Sequence, residues 1–242
     1  MLTNTIGYAA TTAVSGGDIT YAGVAGMLAG GLVGGAIPGY TASGTSTIGN
    51  IFGELVHESF TGFVRGSVGG AVTATLSGAD FGGIMNAFGK GGLQGAKLGA
   101  AHAAAMIAIF GPAFVPESYY QKLSNMESDM QSVGNGYGSY APVYRRGGLF
   151  DLAQQIFDSR RGFAFGRNLF VPNTRGGADV LGLNMFHREY TTLHETGHYY
   201  QMINIGWASV LSSSLFSGNY NMPGNVEYGA QLIALGYGYY WR

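Results

Sequence analysis

The segment His194-Glu195-Thr196-Gly197-His198 is an H-E-x-x-H pattern, and it holds two of the five histidines in the chain. Residues four apart lie on one face of an α-helix, so the two imidazoles can bind a single Zn²⁺ from the same side. Glu195 projects at a neighbouring angle, where it can take a proton from water made acidic by the metal. We therefore interpret His194 and His198 as zinc ligands and Glu195 as the catalytic residue.

A catalytic zinc has three protein ligands and one open position. Beyond His198 the sequence contains no His, Asp or Cys and a single carboxylate, Glu227, far enough downstream for a loop and a returning second helix. We predict Glu227 as the third metal ligand, with Asp179, His187 or Glu189 as the alternatives. His187 is expected to precede the helix and to play a structural part.

The pairing of H-E-x-x-H with a later E-x-x-A, Glu227 to Ala230, resembles the gluzincin branch of zinc metallopeptidases. More narrowly, HETGHYYQ at 194–201 resembles the zincin domains at the C-terminal ends of bacterial Rhs or YD-repeat polymorphic toxins. The glycine-rich segment 62–99 is similar to the segment that commonly precedes those domains. The resemblance implies an α+β fold, with a helix-rich zincin domain and a small sheet, and a secreted zinc metalloendopeptidase that acts as an effector on protein or peptide substrates.

The same resemblance implies an Rhs-type carrier or secretion apparatus, a cognate immunity protein and delivery into a target cell. In such enzymes an edge strand upstream of the motif pairs with extended substrate, and residues 162–171 occupy that place. A tyrosine or histidine holds the developing oxyanion in this family. The candidates in this chain are Tyr220, Tyr228, Tyr237 and Tyr239.

The elements that must position these residues are short. Residues 117–131 have apolar side chains at helical spacing and predict a short amphipathic helix. Residues 134–148 are rich in turn-forming residues and predict a loop. Residues 150–160 predict a helix with Leu152, Ile156 and Phe157 on one side. Residues 162–171 are aromatic and β-prone and predict a single strand.

The composition excludes several classes of protein. Charged residues are 10% of the chain and the formal net charge is -1, which does not fit a nucleic-acid binder. There is no cysteine, so disulfide-stapled folds and Cys-ligated zinc are excluded. Residues 1–18 show no secretory signal, and a non-classical route of secretion is expected.

The first part of the chain differs from the second. Of the 43 glycines, 26 lie in residues 1–111, which hold only seven charged residues. We predict a boundary near Gly111-Pro112, with a glycine-rich pre-toxin or translocation region at 1–111 and the metallopeptidase domain at 112–242. Small residues recur there at every fourth position, which places them on one helix face. They predict tightly packed helix contacts or, alternatively, glycine-zipper hairpins in a membrane.

The uncharged stretch 19–37 is long enough to cross a bilayer, and together with residues 62–99 it predicts membrane contact as an alternative. In that alternative the chain is a membrane-inserting toxin or translocation module with a vestigial H-E-x-x-H. A third interpretation is a structural plug held inside a shell protein, without either activity.

Overall fold

The computed structural model describes residues 18–42, 46–115, 142–156, 162–165, 167–171, 187–205, 210 and 226–234. The chain divides into two compact units. The glycine unit comprises residues 1–40 and 51–106, and the sheet unit comprises residues 41–50 and 107–242. The described residues are mostly helical with one small mixed sheet, so the predicted α+β class is confirmed at that level.

Three helices form the described part of the glycine unit: α1 (Tyr21–Ala36), α2 (Thr47–Leu76) and α3 (Phe81–Phe110), of which α2 and α3 extend into the sheet unit by a few residues. The Thr20 hydroxyl accepts a hydrogen bond from the Gly23 amide at 3.0 Å and caps the start of α1. The uncharged stretch 19–37 thus contains a helix of only 16 residues. Among the described helices, α3 is the one that is long and apolar enough to cross a membrane.

Glycines lie where the backbones of these helices come closest. A Cβ atom added to Gly66 on α2 would overlap the carbonyl group of Gly91 on α3, and one added to Gly91 would overlap that of Gly66. Gly62 and Gly95 form the same reciprocal contact one turn away. Any side chain at these positions would separate the helices, so this close approach requires glycine.

The sheet has four strands in the order β1-β2-β4-β3. The first two, β1 (Ala113–Phe114) and β2 (Val143–Arg145), pair antiparallel. The second two, β3 (Phe163–Phe165) and β4 (Asn168–Phe170), form an antiparallel hairpin, and β4 also pairs in parallel with β2. Within the described part of the chain, β3 is therefore an edge strand next to β4.

Two sequence predictions about this sheet are wrong. The single strand expected at 162–171 is two strands, because the chain reverses between Phe165 and Asn168. The loop expected at 134–148 contains β2, a run of three residues that is too short to show the alternation typical of a strand. The helix expected at 117–131 lies outside the described residues.

The helix expected at 150–160 is α4 (Gly148–Ile156), and residues 157–160 lie outside the described residues. Its apolar side is exposed, at Leu149, Leu152 and Ile156, whereas Asp151 and Gln154 are buried. The apolar spacing predicted the helix correctly but did not identify the face that packs against the unit.

The core of the sheet unit joins the sheet to α5 (His187–Ile205). It contains Tyr144, Leu169 and Val171 together with Tyr199 of α5. Phe110, the last residue of α3, has its ring centroid 4.0 Å from that of Phe170. The sheet unit therefore begins a few residues before the boundary expected at Gly111-Pro112, which itself stays a prediction.

Candidate metal centre

Three predicted metal ligands meet where α5 contacts α6 (Val226–Ala234). His194 and His198 lie four residues apart on α5, and Glu227 lies in the first turn of α6. The Nε2 atoms of the two imidazoles are 3.1 Å apart, and each lies 3.2 Å from Oε2 of Glu227. The returning second helix expected from the sequence is present, and it brings Glu227 to the histidine pair.

This arrangement fits a tetrahedral zinc ion. Zinc lies about 2.0–2.1 Å from nitrogen and oxygen ligands, so two ligand atoms on a tetrahedron are about 3.3 Å apart. The observed separations of 3.1–3.2 Å are close to that value. Three lone-pair atoms at this distance repel one another unless a proton or a metal cation lies among them. Two imidazoles and a carboxylate are also a donor set that zinc prefers.

Gln201 fixes the orientation of His198. Its side-chain amide nitrogen donates to the Val226 carbonyl oxygen at 2.6 Å, so its Oε1 faces the imidazole, 2.8 Å from Nδ1 of His198. Because Oε1 can only accept, Nδ1 is the donor, and in the neutral ring Nε2 keeps its lone pair. Gln201 is completely buried and holds the tautomer that a metal ligand needs.

Thr196 attaches the motif to the sheet. Its hydroxyl donates to the Thr192 carbonyl oxygen at 2.7 Å, so it accepts from the Tyr144 hydroxyl at 3.1 Å. Tyr144 belongs to β2, and Thr196 is completely buried. The two middle residues of H-E-x-x-H are buried, and the threonine holds α5 against the sheet.

Glu195 lies beside the three donors and is only 5% exposed. Its Oε2 has no hydrogen-bond partner among the described residues. Burial, helped by the negative charge of Glu227, raises the pKa of Glu195 to about 7. A carboxyl group with this pKa can exchange a proton near neutral pH.

The edge strand begins next to this carboxyl group. A Cβ atom on Gly162, the residue before β3, would lie 2.8 Å from Cγ of Glu195 and 2.6 Å from Cγ2 of Thr191. Glycine at position 162 therefore allows the start of the edge strand to approach Glu195 closely. An extended chain paired with β3 would pass near the carboxyl group.

The protonation of the metal-free site is uneven. Burial lowers the pKa of His194. Burial also disfavours charge on His198, but its hydrogen bond to Glu227 and the nearby Glu195 outweigh that effect and raise its pKa. Although burial opposes ionisation of Glu227, hydrogen bonds from both imidazoles lower its pKa and keep it ionised. A cation must displace the proton of His198, so its binding weakens in acid.

The structure does not describe the side chains of the three alternative ligands. Asp179 lies outside the described residues, and the side chains of His187 and Glu189 are not part of the description. His187 was expected before the helix and is its first residue. Of the four tyrosines considered for the oxyanion, only Tyr228 is described, half-buried on α6.

Sequence reasoning did not assign a role to Gln201, Thr196, Tyr144 or Gly162. The spacing of Gln201, three residues after His198, was the one available signal, because residues three apart share a helix face. The contacts of the other residues cross between distant segments, and no local pattern indicates them.

Comparison with known proteins gives no relative: no protein family, no curated protein sequence and no solved structure matches the chain.

Proposed function

We propose that the chain is a zinc-dependent metalloendopeptidase, with zinc held by His194, His198 and Glu227. The observation that carries this proposal is the meeting of two imidazole nitrogens and one carboxylate oxygen at 3.1–3.2 Å. These three lone-pair atoms lie beside the buried Oε2 of Glu195, which has no hydrogen-bond partner among the described residues. The donors come from two helices that pack against each other, as a rigid metal site requires.

The roles of the side chains follow from their positions. A zinc ion held by these donors supplies Lewis acidity to the scissile carbonyl and to water. Glu195 accepts the proton of the attacking water and then transfers it to the leaving amine. Gln201 holds His198 in its ligating tautomer, and β3 offers backbone hydrogen bonds that align an extended peptide.

The biological setting is the further part of the proposal. The resemblance of HETGHYYQ at 194–201 to toxin zincins supports a secreted bacterial effector. In that setting an Rhs-type carrier delivers the chain by a non-classical route, and an immunity protein protects the producing cell. The positions of the three donors and of Glu195 support the peptidase activity, and the biological setting is supported by the resemblance.

Metal analysis combined with a peptide library tests the peptidase proposal. The full chain is expected to bind one zinc ion and to cleave members of a fluorogenic peptide library. Glu195→Gln should keep the zinc and lose about 100-fold or more of the hydrolysis rate, because it removes the general base but no ligand. His194→Ala and His198→Ala should lose the zinc, and Glu227→Ala should weaken zinc binding while the fold remains.

The matched controls are His57→Ala and His102→Ala, which remove histidines of the glycine unit. They should leave zinc content and hydrolysis unchanged. Zinc retained at full affinity by His198→Ala, or full hydrolysis by Glu195→Gln, would overturn the assignment. Unchanged zinc affinity in Glu227→Ala would transfer the third position to Asp179, His187 or Glu189.

A further inference from the structure

The polar and apolar faces of α2 are inverted relative to a helix of a water-soluble protein. On the inner face, Asn50 and Glu54 are only 4% and 2% exposed, and Thr61 is also buried. On the outer face, Phe52 and Phe60 are 69% and 58% exposed. The outer face also carries the exposed apolar side chains of Ile48 and Val56 at four-residue spacing.

The partner helix α3 also has small residues at its contact with α2 and large apolar side chains on its exposed surface. Its contacts with α2 are made through Gly91, Gly95 and Gly99 and through one aromatic pair, Phe63 and Phe88, whose ring centroids are 6.4 Å apart. Its large apolar side chains are exposed instead: Phe81, Met85, Phe88, Leu93 and Leu98. The most apolar 18-residue window of α3 is only 6% buried. A core helix of a soluble protein also passes a hydropathy test, but it does so while mostly buried.

The distribution of apolar and polar side chains on the two helices indicates whether their surroundings are water or lipid. In water, two amphipathic helices place their large apolar side chains between them, where burial stabilises the pair. In lipid there is no such gain, and helices associate through small residues that allow close backbone contact. Polar side chains then lie inside, away from hydrocarbon. The α2–α3 pair has the second arrangement.

Length agrees with this environment for both helices, and the overall hydropathy agrees for α3. Each of the two helices has 30 residues and is about 45 Å long, the thickness of a bilayer with its headgroups. α2 has three charged residues. Glu54 is buried, Arg65 donates to the Gly34 carbonyl oxygen at 3.3 Å, and Oε1 of Glu58 lies 3.6 Å from Nδ1 of His57. Lys90 and Lys97 are exposed near the middle of α3, and a charge at that depth opposes insertion.

We propose that the outer faces of α2 and α3 lie in the hydrocarbon of a lipid bilayer, and that this helix pair is a membrane-inserting device. The occupant is lipid hydrocarbon rather than an anionic headgroup surface, because the exposed faces carry apolar side chains and few charges. The inference depends on α2 and α3 and does not rest on zinc or on hydrolysis.

Flotation of the full chain with vesicles of pure phosphatidylcholine tests the inference. Chain synthesised in the presence of vesicles is expected to float with them, in high salt as in low. Phe52→Gln and Phe60→Gln should each lower the vesicle-bound to free ratio about tenfold, since each removes one large apolar side chain from hydrocarbon. Met85→Gln and Leu93→Gln provide an independent pair on α3.

The matched controls are Leu149→Gln and Ile156→Gln, which make the same kind of change at exposed apolar positions of α4. They should float like the unaltered chain. Helical circular dichroism checks that every variant folds, and glutamine is a good helix former at exposed positions. The inference is overturned if the unaltered chain stays in the aqueous phase, as a monomer or as soluble oligomers. Equal flotation of all variants, or binding that requires anionic lipid and low salt, would also overturn it.

Discussion

The glycine unit and the sheet unit bring helices together by opposite means. In the glycine unit, Gly66 and Gly91 let two backbones touch, and a side chain at either position would prevent the contact. In the sheet unit, α5 and α6 are joined by particular side chains, among them Gln201 and the ligand group around Glu227. The first contact depends on the absence of side-chain atoms and the second on specific polar atoms. Substitutions should therefore affect the two units by different mechanisms.

Gly66→Ala should have the largest effect on stability. The added methyl group would overlap the Gly91 carbonyl, so the helices must separate, at a cost of about 3 kcal/mol. Gly89→Ala is the matched control, because a Cβ there meets open space and alanine favours the helix by about 1 kcal/mol. Thermal loss of helical circular dichroism measures both. Destabilisation of similar size in the two variants would contradict the backbone-contact account.

Glu195→Gln should stabilise the metal-free chain at alkaline pH. The folded pKa of about 7 lies above the ordinary value of 4.5, so the folded state prefers the protonated carboxyl. The resulting penalty is absent below pH 4.5, grows as the pH rises to about 7, and is then at most about 3 kcal/mol. Denaturant unfolding with a chelator at pH 5 and pH 8 measures it. The increase in the free energy of unfolding caused by Glu195→Gln should be larger at pH 8 than at pH 5. An increase that does not depend on pH would contradict the burial of this carboxyl group.

Gln201→Ala should weaken zinc binding about 10–100-fold, because it releases His198 from its ligating orientation. It also removes the donor to the Val226 carbonyl, so α6 should hold Glu227 less firmly. Competitive titration with a chelator measures the affinity. Gln154→Ala replaces a buried glutamine of the same unit on α4 and is the matched control, expected to leave zinc affinity unchanged. An equal loss of zinc in both variants would assign the effect to general loosening of the unit.

Tyr144→Phe should have the smallest effect. The substitution removes the hydrogen bond to Thr196, worth about 1 kcal/mol, and the Thr196 hydroxyl still donates to the Thr192 carbonyl. The free energy of unfolding of the sheet unit is the measurement, and zinc affinity should hardly change. A fall in zinc affinity as large as that of Gln201→Ala would show that β2 determines the position of the ligands.

The sequence was informative where the chemistry is local. His194 and His198 are four residues apart, and their shared helix face follows from that spacing alone. Glu227 could be named because no other carboxylate follows the motif. In the glycine unit, some of the small residues that recur at four-residue spacing lie at the α2–α3 contact, among them Gly62 and Gly66, whereas a Cβ atom at Gly35 or Gly78 would meet open space. The recurrence did not decide between water and lipid.

The remaining features depend on contacts between distant segments. β2 forms because Val143–Arg145 pairs with a strand on each side. A run of three residues is too short to show the alternation of apolar and polar residues that predicts a strand. The hairpin at 162–171 differs from a single strand only by a reversal within an aromatic run. On α4, apolar spacing predicted the helix, but tertiary packing buried Asp151 and Gln154 instead.

In the metal site proposed above, the hydrogen bond from Gln201 to the Val226 carbonyl would link metal content to the position of α6. That carbonyl belongs to the residue immediately before Glu227, and the same amide group orients His198. Displacing α6 would therefore remove the third ligand and disorient the second at the same time. Proteolytic nicking between α5 and α6, followed by release of the C-terminal fragment, should discharge the metal in one step. The metal content of a preparation would then report the fraction of chains in which α6 is packed against α5.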